Sequence, residues 1–96
     1  MVKRKMRATS IEAFVSILET LGERQTQVLK AIKILQPCSN LMISKYLHLP
    51  INSITPRVKE IRDFGIARMK YTAICAETNR KVTYWFIPQW MNGVLL

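Results

Sequence analysis

At 96 residues the chain has room for one modest hydrophobic core and not two, so it is a single domain. An apolar share of 49% is ample for folding and excludes a disordered chain, while no apolar run reaches the roughly 18 residues a membrane span needs. Fifteen Lys and Arg stand against six Asp and Glu, a formal net charge of +9 that favours a polyanionic partner. A solubility charge, a ribosomal-type stabiliser and an anionic membrane surface fit the same number. Cys38 and Cys75 lack metal or disulfide-framework spacing and read as buried free thiols. No apolar segment follows the basic N-terminus, so no secretory signal and an intracellular location are expected.

Residues 1–9 form a basic arm, with Lys3, Arg4, Lys5 and Arg7 and no acid. Such a block either lies along DNA or is a solvated tail. Thr9 and Ser10 are good helix caps, and Ile11, Phe14, Val15, Leu18 and Leu21 recur at helical spacing. The first helix is expected over about 10–21, with Gly22 as its stop. Glu23–Gln36 reads as a second helix on the stripe Val28, Leu29, Ile32, Leu35, ended by Pro37. Ser39 or Asn40 can cap a short third helix running to about His48, and Leu49-Pro50 turns the chain.

The stretch after that turn is the centre of the reading. Ile54, Val58 and Ile61 lie at i, i+4, i+7 on one helix face. Pro56 is comfortable only in a first turn, which sets the expected start at Ser53, with Asn52 or Ser53 as cap and an end near Phe64. Gly65 stops this helix. Ile66–Cys75 and Val82–Ile87 then alternate loosely and are rich in β-branched and aromatic residues, so they read as a hairpin. Its turn, residues 76–81, carries Arg80 and Lys81, with Asn79 suited to positive φ. Residues 89–96 form an apolar tail that packs on the core or on a second subunit. The expected fold class is therefore mainly α with a C-terminal β-hairpin, α+β, with the domain proper over 10–88.

Helix, short helix, tight turn, longer helix and basic-tipped hairpin resemble a winged helix-turn-helix. Ser39–Trp85 is similar to the winged-helix regulators of prokaryotes and their viruses, which share the fold of MarR-type repressors. The resemblance rests on Leu49-Pro50-Ile51-Asn52-Ser53-Ile54-Thr55-Pro56-Arg57-Val58, on Ile61-Arg62-Asp63-Phe64-Gly65-Ile66, and on Thr78-Asn79-Arg80 before Val82 and Trp85. Similar phage-type proteins carry Thr-Gly-Arg at the wing tip; here Asn79 replaces the glycine, which a left-handed position tolerates. About half the chain is covered, and the first 22 and last eight residues fall outside it.

The resemblance implies double-stranded DNA as partner, with helix 53–64 in the major groove and the 66–87 hairpin as wing. Outward-facing Asn52, Ser53, Thr55 and Lys59 are then the candidates for base contact, with Asn52 suited to adenine and Lys59 to guanine. Arg57 and Arg62 flank the apolar stripe and suit phosphates, as do the amides near Ser39 and Asn40 and the wing cations Arg80 and Lys81. Each has a plainer reading: Asn52 and Ser53 as caps, Lys59 and Arg62 as solvated charges among acids, Arg80 and Lys81 as ordinary turn polarity. A sequence-specific regulator acting as a homodimer is the leading expectation. A protein-interaction module on the same fold and a non-specific architectural or RNA-binding protein are the alternatives. Six scattered acids, one His and three glycines form no catalytic pairing or phosphate loop, so neither an enzyme, a cofactor nor a small-molecule substrate is expected.

Overall fold

The computed structural model describes residues 7–95. They form five helices and one two-stranded antiparallel sheet, an α+β fold: α1 (Ile11–Thr20), α2 (Glu23–Leu35), α3 (Asn40–Leu47), α4 (Ile51–Asp63), β1 (Arg68–Ile74), β2 (Lys81–Phe86) and α5 (Gln89–Val94). None of these helices is long and apolar enough to cross a membrane.

Ser10 caps α1, its Oγ accepting from the Ala13 amide at 3.1 Å. Gly22, expected to stop α1, instead starts α2: its N–H donates to Gln25 Oε1 at 2.8 Å, and its carbonyl accepts from the Thr26 amide. With only Leu21 and Gly22 between them, one glycine cannot close one helix without opening the next. Helix α2 ends at Leu35, ahead of a cis Gln36–Pro37 peptide. Ser39 caps α3, accepting from the Met42 amide at 3.3 Å, and His48 closes it at φ 56°. The Ser44 hydroxyl donates to the Leu49 carbonyl and pins the turn into α4.

Helix α4 begins at Ile51, two residues before the expected Ser53. Pro50, held extended at φ −60°, is its N-cap, so Asn52 and Ser53 are first-turn residues and cap nothing by their side chains. Pro56 therefore lies inside the helix, where it cannot donate to the Asn52 carbonyl one turn back. The proline is on the exposed side, and the buried side carries Ile54, Val58 and Ile61. Burying three such chains is worth about 1.5–3 kcal/mol each, more than the roughly 3 kcal/mol an interior proline costs. Gly65 follows at φ +80°, a conformation that a side chain would strain, and a Cβ there would come within 3.3 Å of the Arg7 guanidinium. The Ala8 amide donates to the Phe64 carbonyl at 2.7 Å, tying the start of the described chain to the end of α4. Lys3, Arg4 and Lys5 of the expected arm lie outside the described residues.

Strand β1 is shorter than expected, because Ile66 and Ala67 enter the core, and β2 is shifted one residue towards the turn, with Ile87 left to the core. Cys75 and Asn79 close the turn, with Asn79 at φ 55° as expected, and Lys81 opens β2 rather than sitting in the turn. A bulge between Met69 and Tyr71 shifts the register from Met69↔Trp85 to Tyr71↔Tyr84. Beyond β2 the pre-α3 segment pairs briefly with the hairpin: Cys38 and Trp85 exchange both backbone hydrogen bonds, at 3.0 and 2.7 Å. The apolar tail is a helix, α5. Its Met91 is fully buried, and Trp90 meets Phe14 of α1 edge-on at 5.7 Å. Gln36 joins three elements here, accepting from the Ile87 amide at 2.9 Å and donating to Asn92 at 3.1 Å.

Candidate nucleic-acid interface

Four residues on the outer side of α4 stand clear of the core: Asn52, Thr55, Lys59 and Arg62 are exposed, with Ser53 half-buried beside them. At 100° per residue Thr55, Lys59 and Arg62 fall on one flank of the buried stripe, and Arg57 falls on the other. The two flanks meet different neighbours. On the Arg57 side the guanidinium pairs with Glu60, Nε to Oε1 at 2.9 Å, and Gln25 of α2 donates to the same carboxylate oxygen at 3.0 Å. Arg57 is thus held against α2, away from Lys59. Arg62 remains exposed beside Asp63, at 3.4 Å. Lys59 forms no ion pair among the described residues.

On the Thr55 side α4 faces α3 and the hairpin. The Trp85 indole N–H donates to Asn40 Oδ1 at 3.0 Å, and Asn40 Nδ2 donates to Thr55 Oγ1 at 3.4 Å. One asparagine therefore spans β2, the start of α3 and the first turns of α4. Its side chain is occupied in holding elements together, which leaves the expected phosphate contact to the backbone amides. The Ser39 side chain is also withdrawn, at 2% exposure, with its oxygen capping α3. What both positions offer outward is the backbone N–H groups of the helix start, the positive end of the helix dipole.

These elements enclose a groove of about 590 Å³ between the start of α3, the start of α4 and the hairpin. Ile51, Val82 and Trp85 supply apolar wall, and Arg80 and Lys81 bring two cations to it. Both of these cations are exposed, as is Lys70 on β1, whose ammonium lies 5.3 Å from the Phe86 ring centroid. Lys45 near the end of α3 pairs with Glu77 at the hairpin turn, fastening the tip across to the helix. Sequence reasoning missed Lys45, Lys70 and Glu77, and it used Trp85 only as a mark of resemblance. No local pattern marked them, because each owes its position to a partner far along the chain.

Comparison with known proteins returned no matching family model, curated protein or solved structure.

Among the described residues no three His, Cys, Asp or Glu side chains gather as metal ligands would. Burial pushes the Cys38 thiol up to about 12, as desolvation disfavours its thiolate. Cys75, at the mouth of the hairpin, is shifted the other way, mainly by backbone and side-chain hydrogen bonding from Thr78.

Proposed function

We propose that this chain is a winged helix-turn-helix protein that binds double-stranded DNA and acts as a sequence-specific transcriptional regulator. The observation that carries the reading is the shared groove: Ile51 at the start of α4, the start of α3 and the hairpin cations Arg80 and Lys81 line it together, and the exposed Asn52 and Thr55 follow Ile51 in the first turns of α4. A major groove about 12 Å wide admits one helix, and a hairpin beside that helix meets the adjoining backbone or minor groove. The Cys38–Trp85 pairing supports the same reading, since this bridge fastens the hairpin to the segment that leads into α3. In this reading Asn52, Thr55 and Lys59 face base edges, with Ser53 beside them. Arg62, Arg80, Lys81 and the α3 amides at Ser39 and Asn40 hold phosphates. Arg57 reaches a phosphate only by sharing with Glu60, so its main work is bracing α4 on α2.

Selection of bound duplexes from a random pool tests the proposal. A recurring motif is the expected result. Equal affinity for every duplex would favour a non-specific architectural binder, and no binding at low salt would favour a protein-interaction module. Acting on paired half-sites as a homodimer belongs to the same proposal.

A further inference from the structure

The hairpin has two faces, and the core takes one of them. Trp85 packs against the core and reaches Asn40, so Tyr84 and Phe86, its neighbours along β2, point the other way. On that outer face Tyr71 of β1 lies directly across from Tyr84, with ring centroids 5.0 Å apart and planes 30° from parallel. The next rung of the same face pairs Phe86 with Arg68. Three aromatic rings thus stand in a row on the hairpin's outer side. Tyr71 is the most open of them, at 46% exposure, and Tyr84 and Phe86 are half-buried.

The charges beside this row have one sign. The bulge in β1 falls at Lys70, which is left without a partner across the ladder. Re-aimed by that extra residue, its ammonium stands 5.3 Å from the Phe86 ring centroid. Arg68 and Lys70 are both exposed, and neither strand contains an acid. Glu77, the one acid between the two strands, is paired with Lys45. Rings flanked by cations suit unpaired bases, since every base has a π-face to stack and brings a phosphate with it. A duplex cannot use such a row. It shows only base edges in its grooves, and its bases stack about 3.4 Å apart, whereas same-face side chains on a strand recur at about twice that spacing. From this arrangement we infer that the outer face of the hairpin binds single-stranded DNA, with bases stacked on Tyr71, Tyr84 and Phe86 and phosphates held by Lys70 and Arg68. DNA is taken rather than RNA because the same hairpin borders the groove proposed for duplex DNA, and to that extent the inference rests on that reading.

Fluorescence anisotropy of the full chain with a labelled oligodeoxythymidine, which forms no duplex, tests it. The wild type is expected to bind. Tyr71→Leu keeps apolar bulk but loses the ring, and should weaken binding about tenfold, while Tyr71→Phe should bind as the wild type does. Lys70→Ala should also weaken binding and make its salt slope shallower by about 0.7. Duplex affinity of Tyr71→Leu should not change. The side chain is solvent-facing, and an unchanged melting curve will show that the fold survives. Three results would each overturn the inference: no binding at low salt, a Tyr71→Leu variant that binds like the wild type or loses duplex affinity in parallel, and tighter binding of oligouridine RNA. If duplex selection returns no motif while the oligomer still binds through the Tyr71 ring, the duplex reading falls and the stacking face stands.

Discussion

Lys59 and Arg80 are both exposed cations, and the proposed binding mode gives them different roles. Lys59 projects from the outer side of α4 beside Thr55, where a helix lying in a major groove presents side chains to base edges. Lys59→Ala is expected to weaken binding to the selected motif by about 1–3 kcal/mol and to flatten the preference at one or two base positions. An unchanged preference in a repeat of the selection would remove Lys59 from base readout. Cys38 makes a different kind of prediction. Its folded pKa is raised to about 12, whereas in the unfolded chain the thiol ionises near its ordinary 9.0. A raised pKa means that the folded state holds the proton more tightly. The associated stability is fully present below pH 9.0 and is lost as pH climbs towards about 12. Urea midpoints followed into the alkaline range should fall more steeply for the wild type than for Cys38→Ala. Parallel slopes would contradict the burial argument.

At the scale of the element, Pro56 is the informative case. Read locally, a proline marks a first turn, and that logic put the start of α4 at Ser53. The structure starts the helix at Ile51, because Pro50 already supplies the extended entry and the buried stripe rewards carrying the helix through. If so, Pro56→Ala restores a hydrogen bond to the Asn52 carbonyl and should raise stability by about 2 kcal/mol, after allowing for the looser unfolded chain. A fall in melting temperature would mean that the proline serves the helix in some other way. Short-range logic did well elsewhere: the cap at Ser10, the cap at Ser39, the positive φ of Asn79 and the stripe Ile54–Val58–Ile61 all depend on neighbours within a turn or two. It failed where a residue's partner is remote. Lys45 and Glu77 are 32 residues apart, and Asn40 and Trp85 are 45 apart. No periodicity announces such pairs, so the bracing role of the Asn40 side chain was not legible, although the amides around it were. Gly22 failed for a third reason, since a glycine between adjacent helices fits the end of one as well as the start of the next.

Over the whole molecule, charge is sorted rather than spread. The net +9 is concentrated away from α1 and α5, and α1 carries two of the six acids with no cation of its own. A surface sorted in this way should bind DNA with strong salt dependence, each neutralised phosphate contributing a slope of about −0.9 in log affinity against log salt. Arg80→Ala is expected to weaken all duplexes alike and make that slope shallower by about one. A slope that did not move would detach the hairpin tip from the DNA backbone.

The pairing of Cys38 with Trp85 has a mechanical side. It joins the hairpin to the chain between α2 and α3, and Asn40 carries the same connection on to α4. A pull on the hairpin is therefore felt at the joint of the helices, and a tilt of α4 is felt at the hairpin. In the proposed binding mode the hairpin and α4 act as the jaws of one caliper, with an opening set by these bonds. Such a tool measures before it reads: a duplex whose groove spacing departs from the gap would be rejected on width, whatever bases it displays.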